Sequence, residues 1–201
     1  MSPTQDELSP RRRAILEAAT TVLAQHGNRG LTHRAVDREA GLPEGSSSAY
    51  YRTRGALLGA LGDLVADRLA ADVAALGERL ASCPGDVERA VAEVSALFAR
   101  WLDHPELLTA RLELTVAATR DAGLAERFTQ WREELVRTVD RVIADADDAG
   151  ATGSASAETL VAAMDGVLVA SLLQPPAVRR EYVATSTEQL LTALGPHPRE
   201  A

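Results

Sequence analysis

The stretch LTHRAVDREAGLPEGSSSAYYRTRGALL, residues 31–58, decides how the chain is read. Elsewhere the sequence is mostly Ala, Leu, Val and Arg in helical periodicity. Here a Gly41-Leu42-Pro43 break and three serines separate two short helical patterns, and Tyr50, Tyr51, Arg52 and Arg54 follow. Ser and Gly fill little volume and propagate helices weakly. A purely buried role therefore does not explain the run.

Thr32 is placed to cap a short helix whose Ala35, Val36 and Ala40 face inward and which Gly41 stops. A further short helix runs to about Tyr51. Two short helices joined by a tight, Gly-containing turn make a helix-turn-helix. In that arrangement the second helix enters the major groove and its N-terminal half meets base edges. Gly45, Ser46, Ser47 and Ser48 are small enough to let the backbone approach a duplex. Hydroxyls, Arg and helix N-termini hold phosphates, which makes Thr32, Ser46, Tyr50, Tyr51 and Arg54 candidates. The competing reading is a Ser-rich loop with two tyrosines plugging the core, and Tyr51 alone fits a mostly buried position.

Working outward, residues 1–9 are polar and aperiodic, which predicts a flexible arm. Ser9-Pro10 is a cap and first-turn pair. Ile15, Ala18, Ala19, Val22 and Leu23 then form an apolar stripe, closed by Gly27 and Gly30. After the break at residues 52–55 a long helix carries Leu57, Leu61, Val65, Leu69, Val73, Leu76 and Leu80, and Cys83-Pro84-Gly85 closes it. Three more stripes follow. They are Val87, Val91, Val94, Phe98, Trp101 and Leu102; then Leu108, Leu112 and Val116; then Leu124, Phe128, Trp131, Leu135, Val139 and Val142. DDAGATGSASA, residues 147–157, reads as a loop, and two last helices cover about 158–173 and Tyr182 to Leu194. No sustained period-two alternation appears. The expectation is an all-α chain of about nine helices.

The chain has 201 residues, a net charge of −8 and 3% aromatics. Residues 1–60 hold eight Arg against six acids, +2; the remainder holds thirteen against twenty-three, −10. A mildly basic head on an acidic body fits a polyanion-binding end better than the total suggests. There is no Lys, and one cysteine, Cys83. A single thiol makes no internal disulfide, so a cytoplasmic location is expected. No apolar run reaches membrane-span length, and the N-terminus lacks the apolar stretch of a secretory signal.

RRAILEAATTVLAQHGNRGLTHRAVDREAGLPEGSSSAYYRTRGALLGAL resembles the N-terminal domain of the TetR family of bacterial transcriptional regulators. The shared features are the Ala-rich first helix ending in His-Gly, then LT, AGL, and an aromatic followed by a basic residue and LL, over residues 11–61 without a gap. The resemblance implies a three-helix DNA-binding head at residues 10–55 and a helical body at 56–201 that dimerises and encloses a small-molecule pocket. It places base reading on His33, Arg34, Glu44, Gly45, Ser46, Ser48 and Tyr50, and backbone holding on Thr32, Tyr51 and Arg54. Arg34 suits guanine, which guanidinium grips bidentately. Glu44 suits a cytosine amino group or serves to discourage wrong sequences. The chain departs from the family's usual Leu-Tyr at Ser47-Ser48, Phe at Tyr51 and Lys at Arg54.

In the body, Glu158 to Leu173 is apolar almost all round, as a helix buried all round is. Leu160, Met164, Val167, Leu168 and Leu172, with Leu190, Leu191 and Leu194, are the expected homodimer interface. Phe98, Trp101, Leu112, Glu113, Val116, Phe128 and Trp131 are the expected pocket for an unidentified, partly hydrophobic effector. Glu113 alternatively lies at the surface or pairs with Arg120. Enzyme chemistry is not expected. His26, His33, His104 and His197 lack metal-ligand spacing, and no phosphate-cradling glycine loop appears. No cofactor or metal is implied. The expected function is a cytoplasmic, ligand-responsive regulator, a repressor, binding a palindromic double-stranded operator as a dimer. The alternative is a helical small-molecule-binding protein without operator function.

Overall fold

The computed structural model describes residues 9–83, 86–146 and 157–194. Residues 1–8 of the expected arm, the Pro84-Gly85 stop, nearly all of the 147–157 loop and His197 lie outside the described residues, as do the side chains of Val87 and Leu194. Nine α-helices and one short 3₁₀ turn account for nearly everything described, and no strand occurs there. In order they are α1 (Pro10–Gly30), α2 (His33–Glu39), α3 (Ser46–Tyr50), α4 (Arg54–Ala81), α5 (Val87–Asp103), α6 (Glu106–Ala118), α7 (Ala122–Ala146), α8 (Ala157–Leu172) and α9 (Arg179–Leu194). No helix among the described residues is long and apolar enough to cross a membrane.

The chain divides into two compact units, each drawn from separated segments. The first runs to Leu69 and takes in Pro105–Arg132; the second comprises Ala70–His104 and the described residues from Glu133 onward. The expected head at 10–55 falls wholly within the first unit, together with the start of α4, α6 and the start of α7.

In the first unit, Ser9 Oγ accepts the Arg12 N–H and Pro10 supplies the first turn of α1. Ile15, Leu16, Ala19 and Leu23 pack inward with Leu31, Val36, Leu57 and Leu61, all essentially solvent-free. Each such Leu or Ile stabilises the fold by about 1.5–3 kcal/mol relative to exposure. α6 packs along α1, and its Ala110, Leu114 and Ala117 are buried, Ala117 with Leu124 of α7. This corrects the stripe expected on α6. Leu108 is buried, Leu112 half-buried and Val116 exposed. At about 100° per residue, Ala110, Leu114 and Ala117 lie on the side of α6 roughly opposite Leu108, and each four-residue step from Leu108 turns about 40° farther, which leaves Val116 at the surface.

α1 breaks at Gly27, where φ 64° and ψ −178° define backbone that only glycine adopts readily. The following turn to Gly30 is held from two sides. Glu113 Oε2 of α6 accepts the Asn28 N–H at 2.9 Å. The Arg54 guanidinium, at the start of α4, donates to the carbonyls of Asn28 and Leu31 and to Asn28 Oδ1.

Farther along α4, Arg127 of α7 grips both oxygens of Asp63, at 2.9 and 2.8 Å. The indole of Trp131 lies against Gly62 and meets Phe128 edge-on, with centroids 4.8 Å apart.

In the second unit α9 packs against α5 and α8. Leu97, Phe98, Leu102, Val161, Leu168 and Val183 are buried. Phe98 stacks on Trp101, whose Nε1 donates to Asp72 Oδ2 at 2.6 Å. Arg179 donates to the carbonyls of Gln174 and Leu172 and so ties off the end of α8.

On α8, part of the expected interface is largely enclosed by the chain itself. Met164, Val167 and Leu168 are buried within the chain itself, alongside Val161 and a solvent-free Ser171. Leu160, Leu172, Leu190 and Leu191 are half-buried. The exposed side of α8 carries Ala162, Gly166 and Val169, and Leu173 just beyond it is 82% exposed.

A methyl group at Gly62 would stand 2.3 Å from Trp131 Cη2, so Gly62→Ala must displace the indole. The expected loss is about 1–3 kcal/mol of stability, read from urea unfolding, with a changed Trp emission in the folded state.

Candidate nucleic-acid interface

A five-residue helix does not persist alone, because its few hydrogen bonds cannot repay nucleation. α3 is held by Asp37 of α2, which is only 2% exposed. Asp37 Oδ2 accepts the Gly45 N–H and Oδ1 the Ser47 N–H, each at 2.7 Å. Gly45 stands immediately before α3 at φ 91°, left-handed backbone that favours glycine. Ser47 is solvent-free, and its Oγ donates to the His33 carbonyl at 3.2 Å. His33 Nε2 in turn donates to the Tyr51 carbonyl at 2.6 Å. α2 and both ends of α3 are thus tied by polar bonds in the interior of the head.

Burial alone would push the Asp37 carboxyl up. The N–H bonds from Ser47 and Gly45, the Ser47 hydroxyl and the His33 imidazole outweigh it and hold the carboxyl below its ordinary value. Burial also raises the Tyr51 phenol above its ordinary value, against the opposing pull of the Arg12 cation.

Two expected contact residues, His33 and Arg54, have internal partners instead, and so does Ser47 beside them in the motif. Ser47 faces the core, not a groove. His33 is half-buried and bonds the Tyr51 backbone. Arg54 is committed to the carbonyls of the turn after α1 rather than standing free for phosphate. Tyr51 is buried.

The other expected residues remain at the surface of the helix-turn-helix. Thr32 is exposed; its Oγ1 accepts the Ala35 N–H at 3.2 Å as the cap of α2, which leaves its proton for another acceptor. Arg34 and Glu44 are exposed and paired with each other. Gly45 is exposed, and Ser46 and Ser48 are half-buried, their hydroxyls donating to the carbonyls of Pro43 and Gly45. Tyr50 is 41% exposed, with the Arg12 guanidinium 5.8 Å from its ring centroid. A cation over an aromatic face at that range is attracted to it. α1 thereby adds Arg12, which sequence reasoning missed, to the neighbourhood of α3.

The expected effector residues fall in both units. Phe98 and Trp101 belong to the second, and Leu112, Glu113, Val116, Phe128 and Trp131 to the first. Within their units, Glu113 is engaged by the Asn28 backbone, Trp101 by Asp72, and Val116 is exposed.

Residues 85–196 match the family model described as tetracyclin repressor-like, C-terminal domain, which is more than half the chain. The chain belongs to the TetR family. The matched region is the body, beyond the helix-turn-helix. Solved structures agree. The multidrug binding protein EbrR, complexed with ethidium, is 28% identical, with a TM-score of 0.65 over 92% of this chain and 98% of its own. A TetR family member from Streptomyces coelicolor A3 is also 28% identical, with a TM-score of 0.62 over 89% and 98%. A TetR transcription regulator from Haloarcula marismortui shares the fold at 20% identity, with a TM-score of 0.69 over 93% and 97%. No curated relative matches the chain at a significant level. Membership makes the chain a transcriptional regulator by class.

Asp37→Asn removes one of the two oxygens that accept the Gly45 and Ser47 N–H groups, at a cost of about 1–3 kcal/mol. A carboxyl whose folded pKa is depressed stabilises the fold above its unfolded value of about 3.9 and loses that effect as pH falls through the folded value. In urea unfolding the gap between wild type and Asp37→Asn should be widest above about pH 4 and close at lower pH.

Proposed function

We propose that the chain binds a near-palindromic operator as a homodimer, acts as a repressor, and is released by a small-molecule effector. The observation that carries this reading is the division of α3. Ser47 and the Asp37 bonds face inward, while Ser46, Ser48, Tyr50, Arg34 and Glu44 stay on or near the surface. Small polar groups on a rigidly held short helix suit the major groove. Thr32 has a hydroxyl proton for phosphate, and Arg12 brings positive charge beside Tyr50.

A head this small reads one half-site, and a dimer reads two, about 34–36 Å apart or a multiple of that. The second copy is proposed to pack on the outward side of α8. Val169, Leu173 and Val178 are three of the five large apolar side chains exposed in the described chain, and they lie within ten residues of one another. A methyl group at Gly166 would meet nothing within 4 Å, which leaves room for a close-packed partner helix. An effector acts by favouring the head spacing that fits the operator least. The ethidium complex of EbrR supports an aromatic cation as the first probe, read by quenching of Trp101 and Trp131 in the absence of DNA.

The test is fluorescence anisotropy on duplexes from the intergenic DNA adjoining the chain's own gene. Wild type should bind one region tightly, with affinity falling steeply as salt rises. Leu173→Glu should elute as a folded monomer and bind the duplex at least about tenfold more weakly, whereas Met164→Glu should unfold. Affinity equal for all duplexes, or a Leu173→Glu protein that still elutes as the wild type does, would count against the operator and the interface respectively.

A further inference from the structure

Arg34 Nε and Glu44 Oε1 lie 2.9 Å apart, with their side chains 78% and 71% exposed. An ion pair this solvated contributes little to folding and orders two long side chains to do so. Folding therefore gives little reason for the pair. Its place does. Arg34 is the second residue of α2 and Glu44 directly precedes Gly45, the cap of α3, so the pair spans the two helices of the motif at its surface.

A carboxylate brought against DNA is repelled by phosphates and loses water, which is unfavourable unless a donor replaces that water. On the major-groove edge of a G·C pair, guanine offers two acceptors, N7 and O6, beside the cytosine N4 amino donor. An A·T pair offers acceptor, donor, acceptor, which breaks that row. Glu44 bonds Nε of Arg34, which leaves Nη1 and Nη2, the end-on fork, for guanine. The other oxygen of the Glu44 carboxylate can accept from N4.

We infer that Arg34 and Glu44 act as one specificity-determining couple that reads a single G·C pair in each half-site. Arg34 donates to guanine N7 and O6; Glu44 accepts from cytosine N4 and holds the fork in plane. Glu44 is the discriminating member, because an unpaired carboxylate penalises every other base pair. This deepens the operator reading above and rests on it.

The experiment selects duplexes from a randomised pool with the full-length wild-type chain, then replaces each G·C pair of the selected half-site with A·T in turn. One replacement should weaken the wild type by about tenfold or more. In Glu44→Ala the same replacement should cost less than about threefold, with binding to unrelated duplex tightened, and the thermal melt of the free protein should match wild type. Arg34→Ala should lose the preference at that same pair and weaken the selected duplex. If Glu44→Ala tightens all duplexes by one factor and keeps the wild-type preference at every position, Glu44 only repels and the couple is overturned. If the wild type selects no duplex at all, the operator reading falls and the couple falls with it.

Discussion

The carboxylate of Asp37 is the constraint on which the head depends. α3 has too few internal bonds to stand as a helix, and its inward Ser47 has too little apolar surface to be held by packing. Two short N–H bonds to one buried carboxylate replace what a larger apolar residue at Ser47 would supply by contact. The exchange is directional. Packing tolerates rotation about a helix axis, whereas bonds to Gly45 and Ser47 from separate oxygens of one carboxylate do not. The Ser47 hydroxyl and the His33 imidazole extend the same polar tie to both ends of α3. Once the inner face is fixed this way, Ser46, Ser48 and Tyr50 are left for whatever approaches from outside.

A second tie joins that head to α6. Gly27 turns the chain out of α1, Glu113 of α6 holds the Asn28 amide, and Arg54 at the start of α4 holds the carbonyls on the same turn. Three helices therefore meet on five residues of backbone. This explains why α6, distant in sequence, belongs to the same compact unit as the helix-turn-helix. It also supplies a physical connection by which a change in α6 would be felt at the start of α4.

The helix order was legible because Gly, Pro and capping residues punctuate stripes of regular spacing. Ser9-Pro10 and Thr32 cap where expected, and α5 stops at His104-Pro105. Which face of a helix turns inward was less legible. On α8 nearly every position is apolar, so the sequence contains no contrast from which to choose a side, and Met164, Val167 and Leu168 of the expected interface turn toward the chain's own interior. On α6 the four-residue ladder of Leu108, Leu112 and Val116 drew attention from the other side of the helix, where Ala110 and Leu114 are buried, while Val116 is exposed. The partners of long polar side chains were illegible for another reason. Arg54 and His33 bond backbone carbonyls brought near only by the fold. Asp37 could have been found. It shares the inward stripe of His33, Val36 and Ala40, and an acid on such a stripe signals buried donors.

That α3 is a polar reading face backed by a polar clasp is tested most directly by amide hydrogen exchange on the full chain, with and without duplex from the adjoining intergenic DNA at low salt. Exchange in peptides covering residues 44–51 should slow on adding duplex, and those covering α8 and α9 should not change. If residues 44–51 exchange alike in both states while protection appears elsewhere, the polynucleotide does not lie on this face.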